Sequence, residues 1–154
     1  MRHWLRLVSL WAPLASGLLP GCATQRGDGL QGPRADVVLA GLSQVGTPYV
    51  YGGTNPGEGL DCSGLTYYAH HVAGVRIPRV STEQLRAARP VAGRRPRAGD
   101  VVFFKTGPGQ HHVGLMVDDE RFVHASTSRR EVRLDRLQTP YWQARYLGAG
   151  TYLD

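Results

Sequence analysis

The chain has 154 residues and a formal net charge of +6, with seventeen arginines against a single lysine, Lys105. This length is enough for one domain with a hydrophobic core but not for two. The positive charge fits weak attraction to an anionic envelope polymer or headgroup. No stripe of basic and aromatic residues and no nucleic-acid motif accompanies it, so we expect no nucleic-acid partner.

The first 21 residues have the pattern of a secretory signal peptide. Arg2 and Arg6 precede a mostly apolar run over 7–19, which is shorter than the roughly 20 residues needed to span a bilayer. The run ends in Leu19-Pro20-Gly21-Cys22. This resembles a bacterial lipobox, in which the cysteine is acylated and becomes the first mature residue, although Pro20 is not the usual residue there. We expect a lipid anchor at Cys22; the alternative is an ordinary cleaved signal with an incidental cysteine.

Residues 22–33 are expected to form the lipidated cysteine and a flexible tether, because they contain three glycines, one proline and few apolar residues. Ala23 and Thr24 lack the acidic residue that, by analogy with known lipoproteins, retains them at the inner membrane. We therefore expect the protein on the periplasmic side of the cell envelope, at the outer rather than the inner membrane. Residues 34–154 form the folded domain, which we expect to be a monomer.

The first half of this domain predicts three helices. The first runs from about Arg34 to Val45, and its apolar face comprises Val38, Leu42 and Val45. A loop over 52–59 follows. It is rich in glycine but lacks the Gly-Lys-Ser/Thr ending of a phosphate-binding loop, so nucleotide binding is rejected.

The second helix starts with Asp61 as N-cap and runs to about Val72. A third, short helix follows Ser81, with Gln84 as the partner in a capping box. The stretch over 90–99 is rich in proline and arginine and is interpreted as a surface loop. The second helix is expected to bury three side chains: Leu65, Tyr68 and Val72.

The pattern changes to strands after Asp100. Short segments rich in β-branched or aromatic residues are separated by turn formers, at 101–105, 113–117, 121–125, 131–134 and 146–153. Helices followed by strands predict an α+β domain with helices packed on one side of an antiparallel sheet.

Cys62 is the candidate nucleophile. It follows the predicted N-cap, so it lies in the first turn of a helix, where free amides and the positive end of the macrodipole favour a thiolate and can serve as an oxyanion hole. If Cys22 carries lipid, Cys62 has no disulfide partner, and an unpaired thiol outside the cytoplasm suggests a function. The alternative is a buried structural cysteine.

His112 is the candidate base and His124 the residue that orients it. If Asp118-Asp119-Glu120 forms a three-residue hairpin loop, Gly114 pairs with His124, and His112 is its diagonal neighbour on the same face. Such neighbours lie roughly 7–8 Å apart, within reach of two imidazoles. A two-residue loop would place them on opposite faces.

The other histidines receive structural interpretations. His111 points away from the base and is assigned to the surface or the rim, while His70 and His71 favour the C-terminal dipole of the second helix. A zinc site at Cys62, His112 and His124 is rejected, because no His-Glu-x-x-His helix or paired Cys-x-x-Cys is present. We expect no metal and no cofactor.

From residue 46 to 146 the chain resembles the NlpC family of bacterial cell-wall cysteine peptidases, particularly its single-domain murein endopeptidase lipoproteins. The residues that carry the resemblance occur in the family's order: Gly46-Thr47-Pro48-Tyr49, Gly52-Gly53, Asp61-Cys62-Ser63-Gly64, Pro78-Arg79, Gly99-Asp100-Val101-Val102-Phe103-Phe104, His112-Val113-Gly114, Phe122-Val123-His124-Ala125-Ser126 and Pro140-Tyr141-Trp142.

The resemblance implies a papain-like α+β core and attack by a thiolate on an amide of peptidoglycan stem peptides. By motif position it makes Cys62 the nucleophile, His112 the base and His124 the third polar residue. It also implies that the hydroxyl of Tyr49, otherwise a core residue, helps hold the oxyanion. Ser63 and Arg79 align with positions that line the groove, where structural roles fit equally well.

The predicted function is therefore a peptidoglycan endopeptidase that works through a Cys-His-His triad and a thioester intermediate. Two alternatives stay open. One is a Cys–His amidase, thioesterase or acyltransferase acting on another acyl substrate. The other is a non-catalytic wall-binding lipoprotein. The sequence leaves open whether the γ-D-glutamyl bond or the D-alanyl crosslink is cut.

Overall fold

The computed structural model describes residues 30–154. The predicted signal peptide, the lipidation site Cys22 and the tether up to residue 29 lie outside this part. Within it, no helix is both long and apolar enough to cross a bilayer. The elements in chain order are α1 Pro33–Leu42, β1 Thr54–Asn55, β2 Gly59–Leu60, α2 Cys62–Val72, α3 Ser81–Ala87, β3 Arg89–Pro90, β4 Val101–Gly107, β5 Gln110–Met116, β6 Arg121–Ser126, β7 Glu131–Arg136, α4 Pro140–Gln143 and β8 Tyr146–Thr151.

Six strands form one antiparallel sheet in the order β3-β8-β4-β5-β6-β7, and β1 and β2 form a separate pair. The prediction of an α+β domain with an antiparallel sheet is confirmed. The interpretation of 90–99 as surface loop is wrong at its first residue, because Pro90 pairs with Gly150. This strand lies at the edge of the sheet, where the missing N–H of proline is tolerated.

Side chains alternate between the two faces of the sheet along each strand, and each face has its own hydrophobic cluster. On one face α1 and α2 cover Val101, Phe103 and Val113. On the other, Val102 and Phe104 pack with residues that include Phe122 and Trp142. The second cluster was not predicted, because α4 is only four residues long and shows no helical periodicity.

α1 ends at Leu42, three residues earlier than predicted. After it, Gln44 N–H donates to the carbonyl of Gly41 and Val45 N–H to that of Leu42, at 3.1 and 3.2 Å. These bonds join residues three positions apart, which makes the turns tighter than those of an α-helix and ends the helix. As a result Val45 is exposed rather than buried with Val38.

α2 has the predicted bounds and N-cap, since Asp61 Oδ1 accepts the N–H of Gly64 at 2.6 Å. Leu65 is buried as predicted, but Val72 is exposed, because the face turned to the core continues through Ala69 and His70 instead.

The capping box at α3 is absent. The N-cap is Val80, without a side-chain bond. Gln84 is instead fully buried, where its amide donates to the carbonyls of Ser63 and Pro78 at 3.1 and 2.8 Å and accepts from Thr66 at 2.8 Å. Leaving the carbonyl of Pro78 without a donor would cost more free energy than leaving the N-terminus of α3 without a side-chain cap, so Gln84 turns inward.

The hairpin between β5 and β6 has the predicted register. Leu115 pairs with Val123 and Met116 with Phe122, and Val117 N–H donates to the carbonyl of Arg121 at 2.9 Å. This is the three-residue loop on which the His112–His124 argument depends. His112 and His124 therefore lie on the same face of neighbouring strands.

Candidate active site

A cavity of about 1260 Å³ opens where the N-terminus of α2 meets β5 and β6. All the residues predicted to form the site line this cavity: Tyr49, Cys62, Ser63, Arg79, His112 and His124. The fold thus brings together residues that are up to 75 positions apart in the sequence.

Cys62 is the first residue of α2, and its thiol is free. The backbone N–H groups of Cys62, Ser63 and Val113 act on the thiol, and each lowers its pKa. Val113 directly follows His112, so β5 brings both a backbone donor and an imidazole to the start of α2. Backbone N–H groups around a nucleophile are the arrangement that stabilises an oxyanion.

The pKa of the Cys62 thiol is raised, chiefly by burial and then by the carboxylate of Asp61, although the three N–H groups act in the opposite direction. The amides at the start of α2 favour a thiolate as expected, but desolvation outweighs their effect on the pKa. Burial also lowers the pKa of His112. The free site thus holds a neutral thiol and a neutral imidazole, and the imidazole has a lone pair available for the thiol proton.

His112 Nε2 and His124 Nδ1 are 2.8 Å apart, and both side chains are buried. The two ring planes are nearly perpendicular, at 88°. This bond occupies Nε2 of His112 and leaves Nδ1 as its second nitrogen.

The site extends to two residues that the sequence analysis did not assign. Asp135 Oδ2 lies 3.0 Å from His124 Nε2, and Trp142 Nε1 donates to the same oxygen at 3.2 Å. The Trp142 indole stacks on His112 with an angle of 18° between the planes. Because His124 pairs with Arg133, Asp135 is its diagonal neighbour on β7. Once the register of β6 and β7 is known, the diagonal rule that linked His112 to His124 also leads to Asp135.

Tyr49 is half-buried on the loop before α2, where its backbone bridges to Leu60. Burial, followed by the negative charges that Cys62 and Asp61 carry when ionised, raises the pKa of its hydroxyl. The phenol therefore stays protonated and can donate a hydrogen bond next to Cys62.

Ser63 and Arg79 line the cavity, but their polar groups bond to each other and to the loop. Arg79 donates to Ser63 Oγ and to Asp61 Oδ2, both at 2.8 Å, and to the carbonyl of Gly53 at 3.3 Å. This guanidinium fastens the first turn of α2 to the loop that carries Tyr49. The contacts support the structural alternative for this pair.

The remaining histidines are placed differently. His111 is half-buried and lines the rim of the cavity, in the position predicted for it. The dipole interpretation is wrong for His70, which is fully buried, donates from Nδ1 to the carbonyl of Thr66 at 2.8 Å, and has its pKa lowered to about 4 by burial. A neutral imidazole gains little from a helix dipole. Among residues 30–154, no three His, Cys, Asp or Glu side chains are arranged to hold a metal ion.

Comparison with known proteins agrees with this geometry. The model of the NlpC/P60 family matches residues 46–151. The chain belongs to the NlpC/P60 family. The predicted resemblance is confirmed, and so is the papain-like α+β fold.

Three relatives show how far the similarity extends. The murein DD-endopeptidase MepH of Escherichia coli (strain K12) is 41% identical over 113 residues, which are 70% of this chain and 42% of that protein. The gamma-DL-glutamyl hydrolase of Bacillus subtilis (strain 168) is 36% identical over 115 residues, covering 73% and 28%. The crystal structure of an NlpC/P60 family protein from Bacillus cereus matches with a TM-score of 0.71 at 33% identity, covering 79% of this chain and 40% of that one. The chain thus spans less than half of each relative.

Proposed function

We propose that the protein is a cysteine peptidase that hydrolyses an amide bond in the stem peptides or crosslinks of peptidoglycan. The observation that carries this proposal is the position of Cys62, at a helix N-terminus in one cavity with the bonded pair His112 and His124. Nucleophile, base and orienting group are the components of acyl transfer. The names of the relatives indicate the substrate class.

In the proposed reaction, His112 Nδ1 takes the proton of the Cys62 thiol as the sulfur attacks the amide carbonyl carbon. The negative charge moves to the carbonyl oxygen, where the N–H groups near Cys62 and the hydroxyl of Tyr49 stabilise it. His112 then gives the proton to the leaving amine, and a thioester remains. Water, deprotonated by His112, cleaves the thioester and regenerates the thiol.

His124 supports both steps in this scheme. It holds the His112 ring through the 2.8 Å bond and stabilises the imidazolium that forms after proton transfer. Two further arginines line the cavity, Arg129 and Arg133. Their charge favours the carboxylates that stem peptides carry.

The test is digestion of purified peptidoglycan, with the released fragments identified by mass spectrometry. We expect fragments from the wild type and none from Cys62→Ala or His112→Ala. Two matched variants should retain activity: Cys22→Ala, at the other cysteine, and His71→Ala, at an exposed histidine.

Fragment masses distinguish the D-alanyl crosslink from the γ-D-glutamyl bond, which the names of the two enzyme relatives leave open. Cleavage by Cys62→Ala equal to that of the wild type would disprove the thiol mechanism. Binding to the wall without cleavage by the wild type would favour the non-catalytic alternative. Turnover of lipid or small amide substrates alone would favour the other acyl substrates.

We further propose that Cys22 is acylated and anchors the protein to the outer membrane on its periplasmic side. The Leu19-Pro20-Gly21-Cys22 sequence and the absence of an acidic residue at Ala23 or Thr24 support this. Metabolic labelling with a radioactive fatty acid should mark the wild type but not Cys22→Ser, and the label should sediment with outer-membrane vesicles. Label in the Cys22→Ser variant, or none in the wild type, would contradict the anchor.

A further inference from the structure

His124 forms hydrogen bonds through both of its ring nitrogens. Its Nδ1 faces His112, and its Nε2 faces Asp135 Oδ2 at 3.0 Å rather than water, since only 2% of the His124 side chain is exposed. The Asp135 carboxylate is itself fixed by Trp142 at Oδ2 and by a 3.2 Å ion pair between Oδ1 and Arg133. Trp142 also stacks on His112, so the four side chains His112, His124, Asp135 and Trp142 form a closed ring of contacts.

The Asp135 carboxylate determines which nitrogens of the two imidazoles carry the protons. An ionised carboxylate only accepts hydrogen bonds, so His124 Nε2 carries a hydrogen and donates it. In the tautomer in which both imidazoles are neutral, His124 Nδ1 is an acceptor and His112 Nε2 is the donor. His112 Nδ1 is consequently the bare nitrogen, which is the atom that can take a proton from the Cys62 thiol.

The charge of Asp135 also favours transfer of the thiol proton to His112. The bond to His124 holds the pKa of the Asp135 carboxyl below its usual range, so the group is ionised at neutral pH. The charged and titratable groups that face it are His124 on β6, Arg133 on β7 and, beyond His124, His112 on β5. Burial lowers the pKa of His112 most, and a positive charge on His124 would lower it further, whereas the Asp135 carboxylate favours the charged form of His112. It therefore stabilises the imidazolium that forms when the thiol is deprotonated.

We propose that Asp135 is a positioning residue of this site, which fixes the tautomer of His124 and thereby leaves the Nδ1 nitrogen of His112 free to accept the Cys62 proton. The inference rests on the proposed hydrolysis for its role in turnover. The bonds that carry it are present in the protein without substrate, so it can also be tested without turnover.

Three substitutions separate the functions of the carboxylate. Asp135→Leu removes the acceptor, Asp135→Asn keeps an acceptor oxygen but removes the charge, and Asp135→Glu keeps both. Asp36→Leu is the matched control, because Asp36 is exposed on α1, which packs on the opposite face of the sheet from Trp142. Near-ultraviolet circular dichroism establishes that each variant is folded, and Asp135→Asn keeps the proposal testable if the leucine variant is not.

We expect kcat on peptidoglycan fragments to fall about 10- to 100-fold in Asp135→Leu, as for other groups that orient a functional histidine. KM should stay near that of the wild type, the loss in Asp135→Asn should be smaller, and Asp135→Glu should recover part of the rate. A fall confined to KM, or equal losses in Asp36→Leu, would overturn the proposal.

Two readouts do not depend on hydrolysis. Nitrogen NMR of the imidazoles should show His124 protonated at Nε2 in the wild type and redistributed to Nδ1 in Asp135→Leu. Alkylation of Cys62 by iodoacetamide should shift to higher pH in that variant, because His112 no longer accepts the thiol proton. If both are unchanged in Asp135→Leu, the inference is wrong even when peptidoglycan is cleaved. If both change while the wild type cleaves no peptidoglycan, the proposed function fails and the assignment of Asp135 stands.

Discussion

The contact between Gly64 and the preceding loop offers a sharp test of how the nucleophile is held. Gly64 is buried in the first turn of α2, two residues after Cys62. A Cβ at this position would overlap the carbonyl oxygen of Gly53, lie 3.1 Å from its carbonyl carbon and lie 2.9 Å from Asp61 Oδ1. The obstruction is backbone, so rotation of a side chain cannot relieve it.

Gly64→Ala therefore requires α2 and the loop to separate by about 1 Å to restore van der Waals contact. The separation strains the bonds that Gly53 accepts from Asp61 N–H and from Arg79, at 3.2 and 3.3 Å. Overpacking of this kind costs about 1–3 kcal/mol and lost hydrogen bonds about 1 kcal/mol each. Alanine gains only about 1 kcal/mol of helix propensity over glycine. We expect a net loss of about 2 kcal/mol in the free energy of unfolding.

The effect on activity should be larger than the effect on stability. A shift of the first turn moves the Cys62 thiol away from Tyr49 and His112, and a displacement of about 1 Å in a reacting group can lower the rate about 100-fold. Urea unfolding and kcat/KM on peptidoglycan fragments measure the two effects. Gly57→Ala is the matched control, since the nearest atom to its Cβ would be Asn55 Oδ1 at 3.5 Å. Wild-type stability and activity in Gly64→Ala would refute the close contact.

Two further predictions concern polar side chains that stabilise the fold, the buried His70 and the half-buried Arg79. His70 has a pKa of about 4 in the folded protein against 6.5 when unfolded, so its stabilisation is complete above pH 6.5 and is lost as the pH falls towards 4. Between pH 7 and 4 the free energy of unfolding should therefore fall about 3 kcal/mol more in the wild type than in His70→Gln; parallel pH curves from urea unfolding would contradict this. Arg79→Met should lower the free energy of unfolding by about 2 kcal/mol through the lost bonds to Ser63, Asp61 and Gly53, and Arg79→Lys should recover only part, because an ammonium lacks the planar fork. A free energy of unfolding in Arg79→Lys equal to that of the wild type would contradict this, because the charge alone would then be sufficient.

The hairpin register shows how much of the site could be predicted from the sequence. The turn residues at 118–120 set a three-residue loop, and strand alternation then placed His112 and His124 on one face. The same argument does not extend to the next hairpin, because its loop over 127–130 has no glycine or asparagine to mark a turn. In the structure, Arg130 is the last residue of this loop and has a positive φ of 61°. A bulky residue in that conformation is uncommon, so the register that places Asp135 could not be predicted.

The net shift in the pKa of the Cys62 thiol could not be predicted for a related reason. The sequence identifies the helix N-terminus, which favours a thiolate, but it does not give the depth at which Cys62 is buried. Gln84 was misassigned in the same way. Its amide turns inward to the carbonyls of Ser63 and Pro78, and these two acceptors come together only after α2 and α3 have packed.

The nucleophile and the base depend on different cores of the same sheet. Cys62 packs against the cluster that α1 and α2 form on one face, while aromatic residues of the other cluster surround the histidines. Phe122 lies 5.0 Å from the His124 ring and packs over Gly114, where a Cβ would lie 3.1 Å from Phe122 Cε2 and closer to Cδ2. Gly114 is therefore required for packing, because the Phe122 ring that packs against His124 leaves no room for a Cβ there. The sheet joins the two cores, so its twist and register set the position of the thiol relative to the imidazole.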